Sequence, residues 1–500
     1  MIDTVALREK VLDLAIRGKL VPQDPNDEPA SVLLERIREQ KQQMVKEGKL
    51  KAKDIKDDSV IFVGDDNLHY EKFTDGAVKC IEDEIPFELP YGWAWCRLRD
   101  IFNVCSAKRV LQSEWKTEGV PFYRAREIVK LANNGYVDNE LFISHEHYEN
   151  LKETYGVPQT GDLMVTGVGT IGKVHIVRED DVFYYKDASV LCFENRYGVI
   201  NSEYARIMID SSLLQEQIHS QTYGNTVDTI TISTANNYLC ILPPISEQSK
   251  IVQSVKTAVS LIDKIEGDNK EIRNTISLIK SKVLDLAIRG ELVPQDPNNE
   301  PASILLERIR EEKEELIKQG KIKRDKKESI IFKGEDNSYY EKYGEELPQG
   351  WVVTNLETLL SYEQPTEYIV ESTDYNDAYP TPVLTAGKSF ILGYTNETSG
   401  IFKRIPTIIF DDFTTESKYV DFEFKVKSSA MKILSPNTDL VLSKFAYYLM
   451  QSVEVDHDNH QRYWISVFSK QVVALPPLAE QQRIVDMIEH LYSLLDNAML

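Results

Sequence analysis

The residues whose types could do chemistry are few, and each set dissolves on inspection. Gly167-Val-Gly-Thr-Ile-Gly172 fits the glycine pattern of a dinucleotide loop, and Gly167 to Lys173 fits the phosphate-loop spacing. Both need a strand before and a helix after, so that phosphate meets a helix N-terminus. Here KVHIV follows, alternating and β-branched, and Val174 stands where a phosphate loop has Ser or Thr; the spacing predicts a hairpin turn. Asp412…Glu423-Phe-Lys425 fits a loose nuclease-like D…ExK spacing that arises readily in a charged chain. His145/His147 and His457/His460 are close enough in sequence for metal ligation, but solvated histidines fit the same spacing. Both Pro-Pro pairs follow Leu, so neither forms the Asn/Asp-Pro-Pro-Tyr/Phe motif of adenine methylation. No nucleophile–base–acid set assembles from the spacing. The five cysteines form no CxxC pair, which predicts free thiols in a reducing cytoplasm and no zinc site. The expectation is a non-catalytic protein without a metal or cofactor of its own.

The elements that position these residues are organised by a repeat. KVLDLAIRGKLVPQDP from Lys10 recurs as KVLDLAIRGELVPQDP from Lys282, EPASVLLERIRE from Glu28 as EPASILLERIRE from Glu300, IFVGDDNLHYEKF from Ile61 as IFKGEDNSYYEKY from Ile331, and ELPYGW from Glu88 as ELPQGW from Glu346. Similarity then stops, and returns as LPPISEQSKIV from Leu242 against LPPLAEQQRIV from Leu475. Two shared helical frames thus enclose two unlike inserts, each strand-rich with a helix near its end.

Between the inserts, Ser246–Gly290 carries apolar residues at alternating steps of four and three: Ile251, Val255, Ala258, Ile262, Ile265, then Ile272, Ile276, Ile279, Val283 and Leu286, with polar Asn269 in the same seam. A sustained period of 3.5 predicts a coiled coil. Unbroken, it would reach roughly 65 Å; Gly267-Asp268-Asn269 is where a break would fall, and the sequence leaves open whether there is one. The C-terminal EQQRIVDMIEHLYSLLDNAML keeps the seam through Ile484, Ile488, Leu491 and Leu495, and the N-terminal helix supplies the other half of that second copy. The chain reads as a circularly permuted two-fold repeat in which the split copy packs on the central helix. Leu33, Leu34 and Ile37, with their counterparts Leu305, Leu306 and Ile309, lie at helical spacing and serve either packing within this chain or docking of another.

These motifs, in this order, resemble the specificity (S) subunits of type I restriction–modification systems, and the resemblance covers essentially the whole chain. It implies an α+β fold with two globular β-rich target recognition domains separated by long antiparallel coiled-coil helices, a pseudo-two-fold permuted repeat. The expected domains are a helical region at 1–93, target recognition domains at 94–241 and 352–474, a helical spacer at 242–351 between them and a C-terminal helix at 475–500. It implies recognition of an asymmetric bipartite site in double-stranded DNA, one half-site per domain. It also implies assembly with two adenine-N6 methyltransferase (M) subunits and with restriction (R) subunits. S-adenosylmethionine, ATP and magnesium would belong to those partners. No apolar run is long enough for a membrane span, and a cytoplasmic location is expected.

Bases are read mainly by Arg, Lys, Asn and Gln, with Ser, Thr and Tyr assisting at phosphates. Turn-like placement selects Lys108, Arg109, Arg124, Arg126, Thr166, Lys173, Tyr223 and Asn225 in the first insert, and Lys388, Tyr394, Asn396, Arg404, His460, Gln461, Arg462 and Tyr463 in the second. Charge sits awkwardly with this reading. The chain carries a net −22, and Cys96–Pro243 holds 14 lysines and arginines against 19 acids. Either basic residues cluster on one face or partners supply part of the DNA clamp. A two-domain coiled-coil scaffold that binds no DNA is the competing reading; it leaves the agreement of the frames and the divergence of the inserts unexplained.

Overall fold

A computed structural model describes residues 1–48, 50–220, 228–319, 347–385, 387, 389–453 and 462–499. The second-frame stretch from Ile331 lies outside them, as do His457 and His460. The chain forms two compact units, Ile2–Asn269 and Lys270–Leu500 with Met1.

In the first unit a helix, Thr4–Ile16, begins where the Asp3 carboxylate accepts from the amides of Val5 and Ala6, both at 3.0 Å. It ends at Gly18, in the left-handed region (φ +62°), where a Cβ would lie 2.3 Å from the Pro90 ring. The Ala30–Lys46 helix buries Leu33, Leu34 and Ile37 in this unit's own core. A three-stranded antiparallel meander follows (Ser59–Val63, His69–Phe73, Val78–Cys80). The first insert is closed at its neck by Ala94–Arg97 pairing antiparallel with Leu239–Leu242. Its main sheet is antiparallel, in the order Asn103–Cys105, Val190–Glu194, Leu163–Thr166, Val174–Ile176. The last two strands confirm that the Gly167–Gly172 segment is a hairpin turn.

The second insert is closed the same way, by Val352–Asn355 against Val472–Leu475. Inside it an antiparallel sheet runs Leu360–Glu363, Met431–Pro436, Thr407–Asp411, Ser417–Val420. In this unit Leu305 and Leu306 are buried in the core and Ile309 packs against it.

Ile245–Ile288 is one helix of 44 residues, uninterrupted at Gly267. In the first unit its early turns pack antiparallel to Thr4–Ile16: Ala15 and Ile16 share a core with Ile251, Val252 and Val255, and Arg8 pairs with Asp263 and Glu266. In the second unit its later turns pack antiparallel to Leu478–Asn497: Val283 and Ala287 meet Ile484, Val485 and Ile488, and Lys280 pairs with Asp496 at 2.6 Å. The split copy of the coiled coil therefore covers the continuous one in two pieces.

Along the seam Ile251, Val255, Ile262, Ile276, Val283, Ile484 and Ile488 are buried, while Ile265, Leu286, Leu491 and Leu495 are half-buried. Ile272 and Ile279 depart from the reading and are 44% and 41% exposed. At Ile279 the seam passes instead through Lys280, whose ammonium lies 4.9 Å from the Tyr492 ring centre and whose carbonyl accepts from the Tyr492 hydroxyl at 3.1 Å. The polar seam residue Asn269 donates its side-chain amide to the Ile2 carbonyl at 3.1 Å.

Each insert is pinned to its helix by the same glutamine. Gln248 donates to the carbonyls of Val199 and Pro243 and accepts from the Asn201 amide. Gln481 donates to those of Leu440 and Pro476 and accepts from the Leu442 amide. Both side chains are fully buried with their polar atoms paired, so the EQ dipeptide of each frame is an anchor.

Candidate nucleic-acid interface

Antiparallel register places four strand ends, and the three connections they carry, at one end of the first insert's main sheet. The strand ending at Cys105, the one starting at Val190, the one ending at Thr166 and the one starting at Val174 all meet there. Hydrogen bonds tie these connections together. The Ala188 amide donates to the Ser106 hydroxyl at 3.1 Å, Gly167 to the Ser189 carbonyl at 2.9 Å, and Ile230 to the Gly167 carbonyl at 2.8 Å. Lys108, Arg109 and Lys173 of the sequence reading sit on this rim, all exposed. The Lys108 backbone amide donates to the Tyr184 hydroxyl at 3.1 Å, and its ammonium lies 5.5 Å from the Tyr155 ring centre. Arg109 pairs with Asp187 at 2.9 Å and stays 70% exposed.

Lys186 belongs to the same rim and was missed. It pairs with Asp187 at 3.7 Å, and its amide donates to the Tyr123 carbonyl at 2.8 Å. Only strand pairing reveals its neighbours, so no local signal marks it. Tyr223 and Asn225 fall in 221–227, outside the described residues; Asp228, just beyond, accepts from the Gly169 amide at 3.3 Å.

Thr166 is fully buried: its hydroxyl donates to the Thr170 carbonyl at 2.6 Å and accepts from the Lys173 amide at 2.9 Å, closing the turn from inside. It shapes the rim and presents no surface to a nucleic acid. Arg124 and Arg126 are held by acids: both clasp Glu127, and Arg126 also reaches Glu140. Burial pushes the Glu127 carboxyl up, but the two guanidiniums bring it below the ordinary glutamate range. Contact between these arginines and phosphate has to compete with those pairs.

Among the described residues, the second insert does not gather its candidates into one group. Tyr394 is half-buried in the strand Ile391–Thr395, with Asn396 exposed just after it. Arg404 pairs with Glu363, donates to the Tyr368 hydroxyl at 3.3 Å and stacks over Phe402. Arg462 is exposed at the start of the short helix Tyr463–Ser466. Tyr463, read as a DNA contact, is buried: its amide donates to the Asp412 carbonyl at 2.9 Å, and its ring lies in the core. Lys388, His460 and Gln461 lie outside the described residues.

The nuclease-like spacing does not converge on a site. Asp412 forms a buried pair with Lys432 at 3.1 Å, Glu423 faces Lys403 at 3.5 Å, and Lys425 is buried against Glu397 at 2.7 Å. Among the described residues no group of three or more His, Cys, Asp or Glu side chains could hold a metal, and no helix is long and apolar enough to cross a membrane.

Known proteins were compared with this architecture. Residues 90–274 and 348–498 match the family described as type I restriction modification DNA specificity domain. The EcoR124I/EcoR124II specificity subunit of Escherichia coli is 48% identical over 144 residues, 28% of this chain and 35% of that one. The EcoAI specificity subunit of Escherichia coli is 28% identical over 419 residues, covering 71% and 62%. The matched stretches span less than two thirds of either relative. A solved chain from work on complex assembly and conformational transition of the type I R-M system superposes with a TM-score of 0.56 at 15% identity, covering 83% of this chain and 93% of that one; this likeness concerns the fold alone. With the family matched on both sides of the repeat and over more than half its length, the chain belongs to the type I restriction modification DNA specificity domain family.

Proposed function

We propose that this chain is the non-catalytic, sequence-reading subunit of a type I restriction–modification assembly. Each insert contacts one half-site of a bipartite target in double-stranded DNA, and the inserts' divergence makes that target asymmetric. The observation that carries this reading is the pairing of one frame with two inserts: identical strand closures and glutamine anchors hold two unlike globular bodies. A protein selected to present two separate specificities on a fixed support has this form. The Ile245–Ile288 helix acts as the spacer that sets the gap between half-sites.

Catalysis and its cofactors fall to partners in this reading: two methyltransferase subunits using S-adenosylmethionine, and restriction subunits using ATP and magnesium. The assembly works in the cytoplasm, where its DNA is. The test is methylome sequencing of cells that carry this chain with a cognate methyltransferase subunit. Two short half-sites separated by a fixed gap are expected, exchanging one insert should change one half-site only, and deleting a heptad from the long helix should change the gap or abolish methylation. Methylation at a single continuous site, or none that depends on this chain, overturns the reading.

A further inference from the structure

Four of the five cysteines stand as two directly opposed pairs across antiparallel strands. Cys96 faces Cys240 in the strands that close the first insert, and Cys105 faces Cys192 in its main sheet. Opposed residues share a face of the sheet and hold their Cα atoms about 4.5–5.5 Å apart, within the roughly 4.4–6.8 Å that a disulfide bridges. All the thiols are free.

Access separates the pairs. Cys96 and Cys240 are 2% and 0% exposed, shut away from any solute. Cys105 is half-buried at the end of an edge strand, with its sulfur 3.9 Å from the Tyr185 hydroxyl. Cys192 lies beneath it, 1% exposed, and points its thiol at the Asp162 carboxylate 3.9 Å away.

We propose that Cys105 and Cys192 are a reversible modification site, closed to an intramolecular disulfide by hydroperoxide oxidants. The Cys105 thiolate attacks the O–O bond of hydrogen peroxide; an S–O bond forms, the O–O bond breaks, and the leaving hydroxide takes a proton to become water. The Cys192 sulfur, passing its proton to Asp162, then attacks the Cys105 sulfenic acid. The S–S bond forms, the S–O bond breaks, and hydroxide leaves as a second water with the proton that Asp162 took up. Two thiols are oxidised and one peroxide is reduced to two waters.

Cys105 is the accessible thiol of the pair, whereas Cys192 is buried and held well up by hydrogen bonding with Cys105 and by burial, so the first oxidation falls on Cys105. Exposed bridges are the readily reduced kind suited to a regulatory role, and Cys105 is only half-buried. It would pin the strand whose next residues carry Lys108 and Arg109, but the site stands or falls independently of what those residues bind.

The test treats the full chain with hydrogen peroxide and maps peptides under non-reducing conditions. A Cys105–Cys192 cross-linked peptide is expected, with two of the five thiols lost and both recovered by dithiothreitol. In Cys192→Ala, Cys105 should stall as a sulfenic acid that a 1,3-dione traps, and in Cys96→Ser the bridge should still form. The proposal is overturned if Cys105 over-oxidises with Cys192 untouched, if Cys96 and Cys240 bridge first, or if only Cys80-linked dimers appear.

Discussion

The Trp93 indole donates to the buried Glu247 carboxylate at 3.0 Å, and Trp351 makes the same bond to Glu480 at the same distance. Gln23 and Gln295 are the second donors to these carboxylates, at 3.2 and 3.4 Å. The GW, VPQDP and EQ motifs of each frame therefore converge on one node, where the chain entering the insert meets the helix leaving it. Burial raises both glutamates, and the indole and amide donors offset part of that rise. Replacing Trp93 or Trp351 by Phe keeps most of the packing but leaves a buried acceptor one donor short. A loss of about 1–3 kcal/mol is expected for either variant. Urea unfolding of the two, side by side, checks both the size and the equivalence; a near-neutral effect at one node alone would show that the nodes differ in kind.

The Asp412–Lys432 pair is a buried ion pair of the second insert, with side chains 2% and 1% exposed. Asp412 also accepts from the Trp464 amide at 2.9 Å, so it orders the turn into the Tyr463–Ser466 helix. Lys432→Met removes the compensating charge and is expected to cost about 3–5 kcal/mol, whereas adding Asp412→Asn should recover part of that loss. Thermal melts of the single and double variants measure this. A single variant as stable as the double would mean that the charge is compensated elsewhere.

Asp100 gives the clearest pH signature. It is buried in the first unit, its carboxylate accepts from the Arg97 amide at 2.8 Å, and burial pushes its pKa up to about 6. A carboxyl raised on folding contributes stability that is fully present below its unfolded pKa, near 4, and lost as pH rises through the folded value. The wild-type chain should therefore lose about 2–3 kcal/mol of this contribution between pH 4 and pH 7. Asp100→Asn keeps the acceptor and removes the charge, so its advantage over wild type should grow across that window. Parallel curves for the two proteins from pH 4.5 to 8 would rule this out.

The frames were legible in the sequence because the repeated residues carry out identical tasks: the tryptophans, glutamates and glutamines of one copy make the bonds of the other. The antiparallel packing of the split helix was legible for the same reason. Individual surface residues were not. Thr166 and Tyr463 have the residue type and turn-like setting of DNA contacts, and only tertiary burial removes them. Lys186 directly follows the strand Tyr184–Tyr185, and its membership of the rim depends on pairings with segments far away in the chain. The seam passes through Lys280 instead of Ile279 because Tyr492 offers an aromatic ring to a lysine stem, which a period of 3.5 does not encode.

The rim of Lys108, Arg109, Lys173 and Lys186 makes the sharpest functional forecast. In an acidic chain, four basic residues on tied turns, two of them sharing Asp187, leave a local net positive charge, but not the charge of an autonomous DNA binder. Binding by the isolated chain is expected to be weak and to tighten when a methyltransferase subunit joins, as gel shifts with and without that subunit will show; equal, tight binding in both would refute the division of labour. In the assembled complex, Lys173→Ala should weaken cognate and unrelated DNA alike and lower the slope of log K against log salt by about 0.9 if it meets one phosphate. Arg109→Ala separates two roles. If it reads a base, discrimination falls at the first half-site alone by about 1–3 kcal/mol; if it meets a phosphate, it will follow Lys173. Loss of discrimination at the second half-site from either change would place the rim on the wrong half of the target.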